Sequence, residues 1–320
     1  MDRGTLRRLR NTLNPCRVTL SVCIATFKRL DRLDALLGDL ERQEMRPDEI
    51  VIVDNDASGS ARAVVEARIR SGYPLTIHYE VQPERNISLT RNRTVHLASG
   101  DWLAFVDDDE RAPAPWLRLL MEAATKFTAD AVLAPVEPQI PDSAPGWIRK
   151  GRFYEWPRLA SGAVVPDSNL RFGNALLRGT VLRAEPGPFD PSFRLSTGED
   201  GEMLLRLRNN RNALIVWCDE APVQEPVEPK RQSLRWLLQR ALSGGQHFAR
   251  LAMEGRYRRV GMLDRVFMLL QWGGQMVAAV GLAVVSLPFG RHRAAAWLIK
   301  SSANLGKLSV LAGWRYGEYA

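Results

Sequence analysis

Five consecutive apolar residues, Trp102-Leu103-Ala104-Phe105-Val106, run directly into four acidic ones, Asp107-Asp108-Asp109-Glu110. An unbroken apolar run of this length predicts a strand covered on both faces, as inside a parallel sheet. The acids then fall at its carboxyl end, where open α/β sheets bind their ligands. Like charges packed so closely repel unless a cation or a strong donor lies among them. A hard divalent ion, Mg²⁺ or Mn²⁺, held by carboxylate oxygens meets that need. A solvated acidic turn is the alternative that the triplet alone leaves open.

The preceding segments repeat a strand-then-helix rhythm. Val18 to Ile24 predicts a first strand, followed by a helix with Leu33, Leu36, Leu37 and Leu40 on one face. Glu49 to Val53 is a second buried strand that ends in the short polar turn Asp54-Asn55-Asp56-Ala57-Ser58-Gly59. Ala61, Val64, Val65 and Ile69 mark a helix, Leu75 to Tyr79 a third strand, and Asn86 to Ala98 a helix leading into the acidic strand. Parallel neighbours need helical crossovers, so this alternation argues a doubly wound α/β sheet. Two strand ends, at Asp54 and Asp107, then face one crevice. No GxGxxG or GxxxxGK[ST] follows any of these strands, so a nucleotide bound here must be held by carboxylates and a metal in place of glycine-rich amides.

Beyond a helix with Trp116, Leu119, Leu120 and Phe127 and a strand Ala131 to Ala134, Pro135 to Arg171 reads as a long irregular loop, and loops of that length are functional or disordered. Its aromatics, Trp147, Phe153, Tyr154 and Trp156, either stack on sugar faces or pack beneath the loop. Gly173 to Arg178 returns to the core. Further on, Thr197-Gly198 delivers Glu199 and Asp200 to the start of a helix bearing Leu204, Leu205 and Leu207. Acids in a first helical turn are favoured by the dipole alone, so capping and chemistry compete as explanations. A strand, Ala213 to Trp217, and an extended segment, Gln224 to Pro229, precede a basic amphipathic helix with Arg231, Gln232, Arg235, Trp236, Arg240 and His247.

With 320 residues, 45% of them hydrophobic, the chain can bury a full core. Its 44 Lys and Arg against 36 Asp and Glu give +8 and a pI near 9.7, which fits an anionic partner. Much of the excess follows residue 229 beside apolar segments, so it points to a membrane face and no nucleic acid is expected. From Met262 to Phe289 the chain is apolar over a length that spans a bilayer. Basic clusters flank both ends, Arg256 to Arg259 and Arg291 to Arg293, which offends the positive-inside rule for a single span. A re-entrant hairpin or an interface-lying helix pair is therefore expected, with Trp272, Trp297, Trp314 and Tyr316 as anchors. A membrane span and a soluble helical subdomain are the rivals. Cys16, Cys23 and Cys218 lack CxxC spacing and read as reduced structural thiols. Met1 to Pro15 is basic without an apolar core, so no secretory signal is expected and the catalytic part is placed in the cytoplasm.

Ser21 to Arg29, Ile52 to Ser58, Asn86-Ile87-Ser88-Leu89-Thr90-Arg91-Asn92, Gly100 to Glu110 and Gly198-Glu199-Asp200 together resemble, in order and spacing, the inverting family-2 glycosyltransferases of the GT-A fold. The likeness covers roughly residues 18 to 235 and is nearest to bacterial exopolysaccharide glucosyltransferases of the succinoglycan type. It implies a GT-A (Rossmann-like) nucleotide-sugar-binding domain over 18–229, after a tail over 1–17. A basic helix over 230–261 and a membrane-associated region over 262–320 would follow. By the same resemblance Ala25, Thr26 and Phe27 line a uracil pocket with Arg29 nearby. Asp54 or Asn55 bonds the uracil edge, a role that passes to Asp54 or Asp56 because the family usually has Asp where Asn55 stands. Asn86 and Asn92 hold the loop and helix beside the nucleotide. Asp107 and Asp108 reach the ribose and the metal shell, and Asp109 ligates Mg²⁺ or Mn²⁺. Asp200 is the base and Glu199 orients it or the acceptor. Gln232, Arg235 and Trp236 fit a QxxRW pattern on the acceptor side. The implied reaction moves a sugar, glucose by the nearest resemblance, from a UDP-sugar to a polyprenyl-diphosphate-linked oligosaccharide at the cytoplasmic face of the inner membrane. A nucleotidyltransferase acting on a sugar phosphate, or a non-catalytic membrane scaffold with a relic nucleotide site, would share much of this sequence.

Overall fold

The computed structural model describes residues 17–194, 198–255 and 261–312. Cys16, the Arg256 to Arg259 cluster, Thr197, Trp314 and Tyr316 lie outside them. The chain begins with β1 (Leu20–Thr26), α1 (Leu30–Glu41), β2 (Glu49–Asp54), α2 (Arg62–Arg70), β3 (Thr76–Val81), α3 (Ile87–Leu97) and β4 (Trp102–Val106). These layers form because β1, β2 and β4 are apolar on both faces and α1 on one, while β3 closes the sheet as a partly exposed edge strand. Leu33, Leu36, Leu37 and Leu40 are all fully buried under the sheet, and every residue of β2 and β4 is buried. Entry into β4 requires glycine at position 100, where a Cβ would meet the Ser21 backbone nitrogen at 2.7 Å.

The chain continues through α4 (Trp116–Lys126), β5 (Ala131–Leu133), β6 (Val136–Gln139), α5 (Gly146–Gly151), β7 (Asn174–Arg178), α6 (Gly179–Arg183), α7 (Glu199–Arg211), β8 (Ile215–Trp217) and β9 (Val223–Pro226). The main sheet has the order β3-β2-β1-β4-β7-β5-β8, and β6 pairs with β9 in a small second sheet. All pairings in the main sheet are parallel except those of β7, which is antiparallel to both β4 and β5. The sheet is therefore mixed where the strand–helix rhythm predicts a parallel one. At the start of the reversed strand the Asn174 amide donates to the Pro135 and Ala221 carbonyls and its oxygen accepts from Trp116 Nε1. The Pro135–Arg171 segment is also more ordered than its composition suggests. Within it β6 and α5 form, and Trp147 packs on Phe153 and Tyr154 on Trp236 at centroid distances of 5.6 and 6.0 Å. Those three loop aromatics are packing groups; Trp156 alone of the four is exposed, at 54%.

Three helices close the described chain: α8 (Leu234–Met253), α9 (Met262–Ser286) and α10 (Arg291–Ser309). α10 lies between the other two. Gly245 sits against the Ala303 carbonyl and Gly306 against that of Leu242, positions where a Cβ would come within 2.0 and 2.1 Å of the oxygen. Small residues thus let α8 and α10 approach closely, and α8, α9 and α10 share one packed helical unit. α9, in contrast, is long and apolar enough to cross a membrane and is mostly exposed. Cys23 and Cys218 are buried free thiols.

Candidate active site

The strand order reverses between β1 and β4, so a crevice opens outside their carboxyl ends. The Thr26 hydroxyl and the Phe27 N–H donate to Asp108 Oδ2 at 2.8 and 3.3 Å, and Arg29 Nη1 donates to Asp108 Oδ1 at 2.7 Å. Asp108 is buried and fully engaged in tying the two strand ends together. Ala25 stands in register with Val53 of β2. Phe27 follows, its ring flanked by the Arg85 guanidinium at 4.8 Å and Lys28 Nζ at 5.2 Å.

The β2 turn divides its three polar residues. Asp54 is completely buried; Oδ1 accepts from the Asp56 N–H, and Oδ2 accepts from the Ala61 N–H and the Tyr79 hydroxyl. Asn55 donates to the Gln82 and Glu84 carbonyls and accepts from the Asn86 N–H. Both side chains are spent on building the turn, which leaves neither open to a base edge. Asp56 is the one beside the β1 loop, 4.0 Å from Lys28 Nζ, and the Ser58 hydroxyl holds its carboxyl below the usual range.

From Asn86 onward the chain supplies the second wall. The Asn86 side chain caps α3 by accepting from the Ser88 and Leu89 N–H groups, and donates to the Pro191 carbonyl. Asn92 exchanges two hydrogen bonds with the Phe189 backbone. α3 is thereby docked on the loop that precedes α7. On its inner face Arg91 donates through Nη1 to Glu199 at 2.5 Å and through Nη2 to Asp107 at 3.3 Å. One guanidinium thus joins the acidic run after β4 to the acidic pair opening α7, and both line one crevice.

The charges there are strained. Glu199 is pushed up to about 7 by burial, against the pull of Arg91, with Asp200 adding repulsion. Asp107 is pushed up to about 6, first by its enclosure, with Arg91 opposing and Asp109 and Asp108 repelling; its side chain is 45% exposed at the crevice floor, so water screens part of this. Glu110 lies well above its ordinary value through burial and then Asp107, and accepts from the Asp107 N–H at 2.9 Å. Asp109 Oδ2 lies 3.2 Å from Arg29 and 3.1 Å from Arg231. Among the described residues no three His, Cys, Asp or Glu side chains converge into a ready-made metal cage. The donors fit a Mg²⁺ or Mn²⁺ that takes one or two carboxylates, Asp109 and Asp107, and completes its shell with phosphate oxygens and water. Mutual repulsion among these carboxylates is what such a cation relieves.

Asp200 is less buried than Glu199; its Oδ2 accepts from the Phe172 N–H at 3.0 Å and its Oδ1 from the Gly201 N–H. His247, from α8, lies over Gly198, where a Cβ would fall 2.1 Å from the ring. Burial pushes its imidazole down to about 4, with Asp200 pulling the other way. Gln232 donates to the Val227 carbonyl and Trp236 packs on Tyr154, so both anchor α8; Arg235 is exposed. Arg91, Arg231, Glu110 and His247 escape sequence reasoning as site residues. Arg91 sits inside the Asn86–Asn92 motif and Arg231 next to Gln232, but only the fold brings them to the carboxylates.

A mixed sheet with an acidic run at its switch point, faced by a second acidic pair on a helix start, is the GT-A arrangement of glycosyltransferases. The glycosyl transferase family 2 domain matches residues 21–175. Succinoglycan biosynthesis protein ExoM of Rhizobium meliloti is 35% identical over 238 residues, 73% of this chain and 75% of that protein. A GalNAc(5)-diNAcBac-PP-undecaprenol beta-1,3-glucosyltransferase of Campylobacter jejuni is 29% identical over 113 residues, 33% of this chain and 35% of that one. The mannosyltransferase PcManGT of Pyrobaculum calidifontis, solved with GDP-Man and Mn²⁺, shares the fold with a TM-score of 0.56 at 17% identity, over 98% of this chain and 84% of that one. The chain belongs to glycosyl transferase family 2 and is a glycosyltransferase.

Proposed function

We propose that this enzyme moves a sugar, glucose by the nearest resemblance, from a UDP-sugar to a polyprenyl-diphosphate-linked oligosaccharide in exopolysaccharide biosynthesis, inverting the anomeric centre, at the cytoplasmic face of the membrane. The observation that carries it is Arg91, which joins Asp107 to Glu199 and so sets the acidic run and the α7 carboxylates around one crevice. The succinoglycan relative and the undecaprenol-linked glucosyltransferase support the pathway and the kind of acceptor.

In this reading Ala25, Thr26 and Phe27 form the nucleoside floor, and Asp56 takes the base edge that Asp54 and Asn55 do not reach. Asp109 and Asp107 would hold the divalent cation, which when bound would supply charge neutralisation for the departing diphosphate. Arg29 and Arg231, now paired with Asp109, are placed to follow the diphosphate. Asp200 accepts the proton of the acceptor hydroxyl, a contribution of about 10²–10⁴-fold. Its Phe172 N–H bond orients the carboxylate, and Arg91 keeps Glu199 fixed beside it. A single base without a covalent intermediate inverts the configuration. The exposed apolar α9 supports attachment to a membrane, where a lipid-linked acceptor resides.

The test is a panel of UDP- and GDP-sugars with polyprenyl-diphosphate-linked acceptor, following nucleoside diphosphate release in Mg²⁺ or Mn²⁺. Asp200→Asn should bind donor normally and lose transfer. Normal turnover in that variant refutes the base, GDP release refutes the donor, and release of pyrophosphate would identify a nucleotidyltransferase instead.

A further inference from the structure

α9 presents an unusual surface. Only a narrow stripe through Trp272, Ala279 and Ala283 is buried, while Leu263, Phe267, Leu270 and Val277 are 86, 67, 73 and 68% exposed. An apolar helix this exposed demands a lipid surface. Its neighbour settles how it can lie. α10 runs antiparallel along it, with Ser301 bonded to the Met276 carbonyl, and carries Arg291, Arg293, Lys300 and Lys307 along its length. A spanning α9 would drag Lys300 and Lys307, which lie beside its middle turns, into hydrocarbon. In the plane of the interface, the same cations lie at head-group depth.

Between α9 and α10 is a cavity of about 430 Å³. Its apolar wall includes Leu282 and Trp297, and its polar groups are Gln275, Lys300, Asn304 and Lys307. The two lysines are two turns apart on one face of α10. Among the described residues neither has a carboxylate partner: Lys307 Nζ donates to Asn304 Oδ1 at 3.0 Å, and Lys300 Nζ lies 4.3 Å from the Trp297 ring. Asp264 is the sole acid of the two helices and sits in the first turn of α9, about three turns from Gln275. Burial holds Lys307 below its ordinary value. An anion entering this cavity recovers that cost.

We propose that the α9–α10 groove seats the phosphate of a membrane lipid between Lys300 and Lys307, with the lipid chains lying along the exposed face of α9. The site rests on the membrane attachment proposed above and adds to it a defined head-group position on the helical unit that carries His247. A bilayer phospholipid and a polyprenyl phosphate share this chemistry; inorganic phosphate lacks the chains.

The experiment compares the full chain with Lys300→Gln/Lys307→Gln and with Arg291→Gln/Arg293→Gln, which removes equal charge at the hairpin tip outside the groove. Each is sedimented with phosphatidylcholine vesicles, alone, with phosphatidylglycerol, or with polyprenyl phosphate, and each is examined for retained lipid by native mass spectrometry after gentle detergent extraction. The groove variant should keep its affinity for neutral vesicles. It should lose roughly 20-fold of the affinity gained from the anionic lipid, together with the bound-lipid adduct, while the tip variant, with equal charge removed at head-group depth, loses comparable vesicle affinity but keeps the adduct. Which lipid is retained identifies the source. An adduct that survives Lys300→Gln/Lys307→Gln, or one lost equally in the tip variant, overturns the site. Failure of the unmodified chain to bind any vesicle overturns membrane attachment itself, a separate result.

Discussion

Replacing Arg91 with Met tests whether one buried cation holds the two halves of the site together. The guanidinium is nearly enclosed, its side chain 11% exposed, between Glu199 at 6% and Asp107. It also lies 5.3 and 5.9 Å from the Phe172 and Phe189 ring centroids. Methionine retains the aromatic contacts, so the substitution isolates charge. Removing one partner of a buried ion pair costs about 3–5 kcal/mol because the other is left uncompensated.

The pH dependence carries the sharper test. Glu199 already stands at about 7 with Arg91 present, above an unfolded value of about 4.3. A raised carboxyl favours the folded state below its unfolded pKa, and that contribution is lost as pH rises through the folded one. Without Arg91 the folded value climbs further and the loss extends to higher pH. Urea denaturation of Arg91→Met against the unmodified enzyme should therefore show a Glu199-linked deficit that is small near pH 5.5, begins near pH 7 and grows by about 1.4 kcal/mol for each further pH unit. Adding Glu199→Gln should return most of the stability at pH 8. A deficit that is equal at both pH values, or that persists in the double variant, refutes the electrostatic account of this contact.

Asp109→Asn should weaken Mn²⁺-dependent binding of the nucleoside diphosphate by tenfold or more in calorimetry, on the order of one lost charge-assisted contact, and leave metal-free binding no weaker, since Arg29 and Arg231 are released; equal losses with and without the ion would remove Asp109 from the metal shell. Gly198→Ala forces a Cβ to within 2.1 Å of the His247 ring at φ +105°, so it should lower the melting temperature and transfer together. His247→Ala in that background should relieve the clash but leave a backbone cost of about 1–3 kcal/mol; a Gly198→Ala enzyme of unaltered stability would contradict the packing. Phe267→Asp/Leu270→Asp on the exposed face of α9 should abolish vesicle sedimentation without affecting donor hydrolysis, whereas continued pelleting would place the membrane contact elsewhere.

The acidic run after Trp102–Val106 and the buried strands were legible because burial on both faces writes itself as an unbroken apolar string. The same holds for Glu199 and Asp200, which stand at a helix start that glycine marks. What escaped was the use to which short polar residues are put. Asp54, Asn55 and Asp56 look alike in sequence, and only the backbone N–H groups of Asp56, Ala61 and Asn86 decide that the first two close a turn. The antiparallel β7 was equally hidden, since the groups that satisfy its first residue, Asn174, come from the distant Pro135, Ala221 and Trp116.

Arginine shows the limit most clearly. Arg29, Arg91 and Arg231 come from the β1 loop, the middle of α3 and the turn before α8. They meet the carboxylates only because the sheet reverses at β1 and β4 and the helical unit folds back across it. Each long side chain costs about 2 kcal/mol of rotamer freedom to fix, so three held against one acidic crevice imply that the carboxylates return more than this in charge pairing. Even so, three arginines face six carboxylates, Asp107, Asp108, Asp109, Glu110, Glu199 and Asp200, so the crevice stays formally acidic. On the reading proposed above, an arriving diphosphate would meet Arg29 and Arg231, and its cation would meet the Asp109 carboxylate that those arginines now hold.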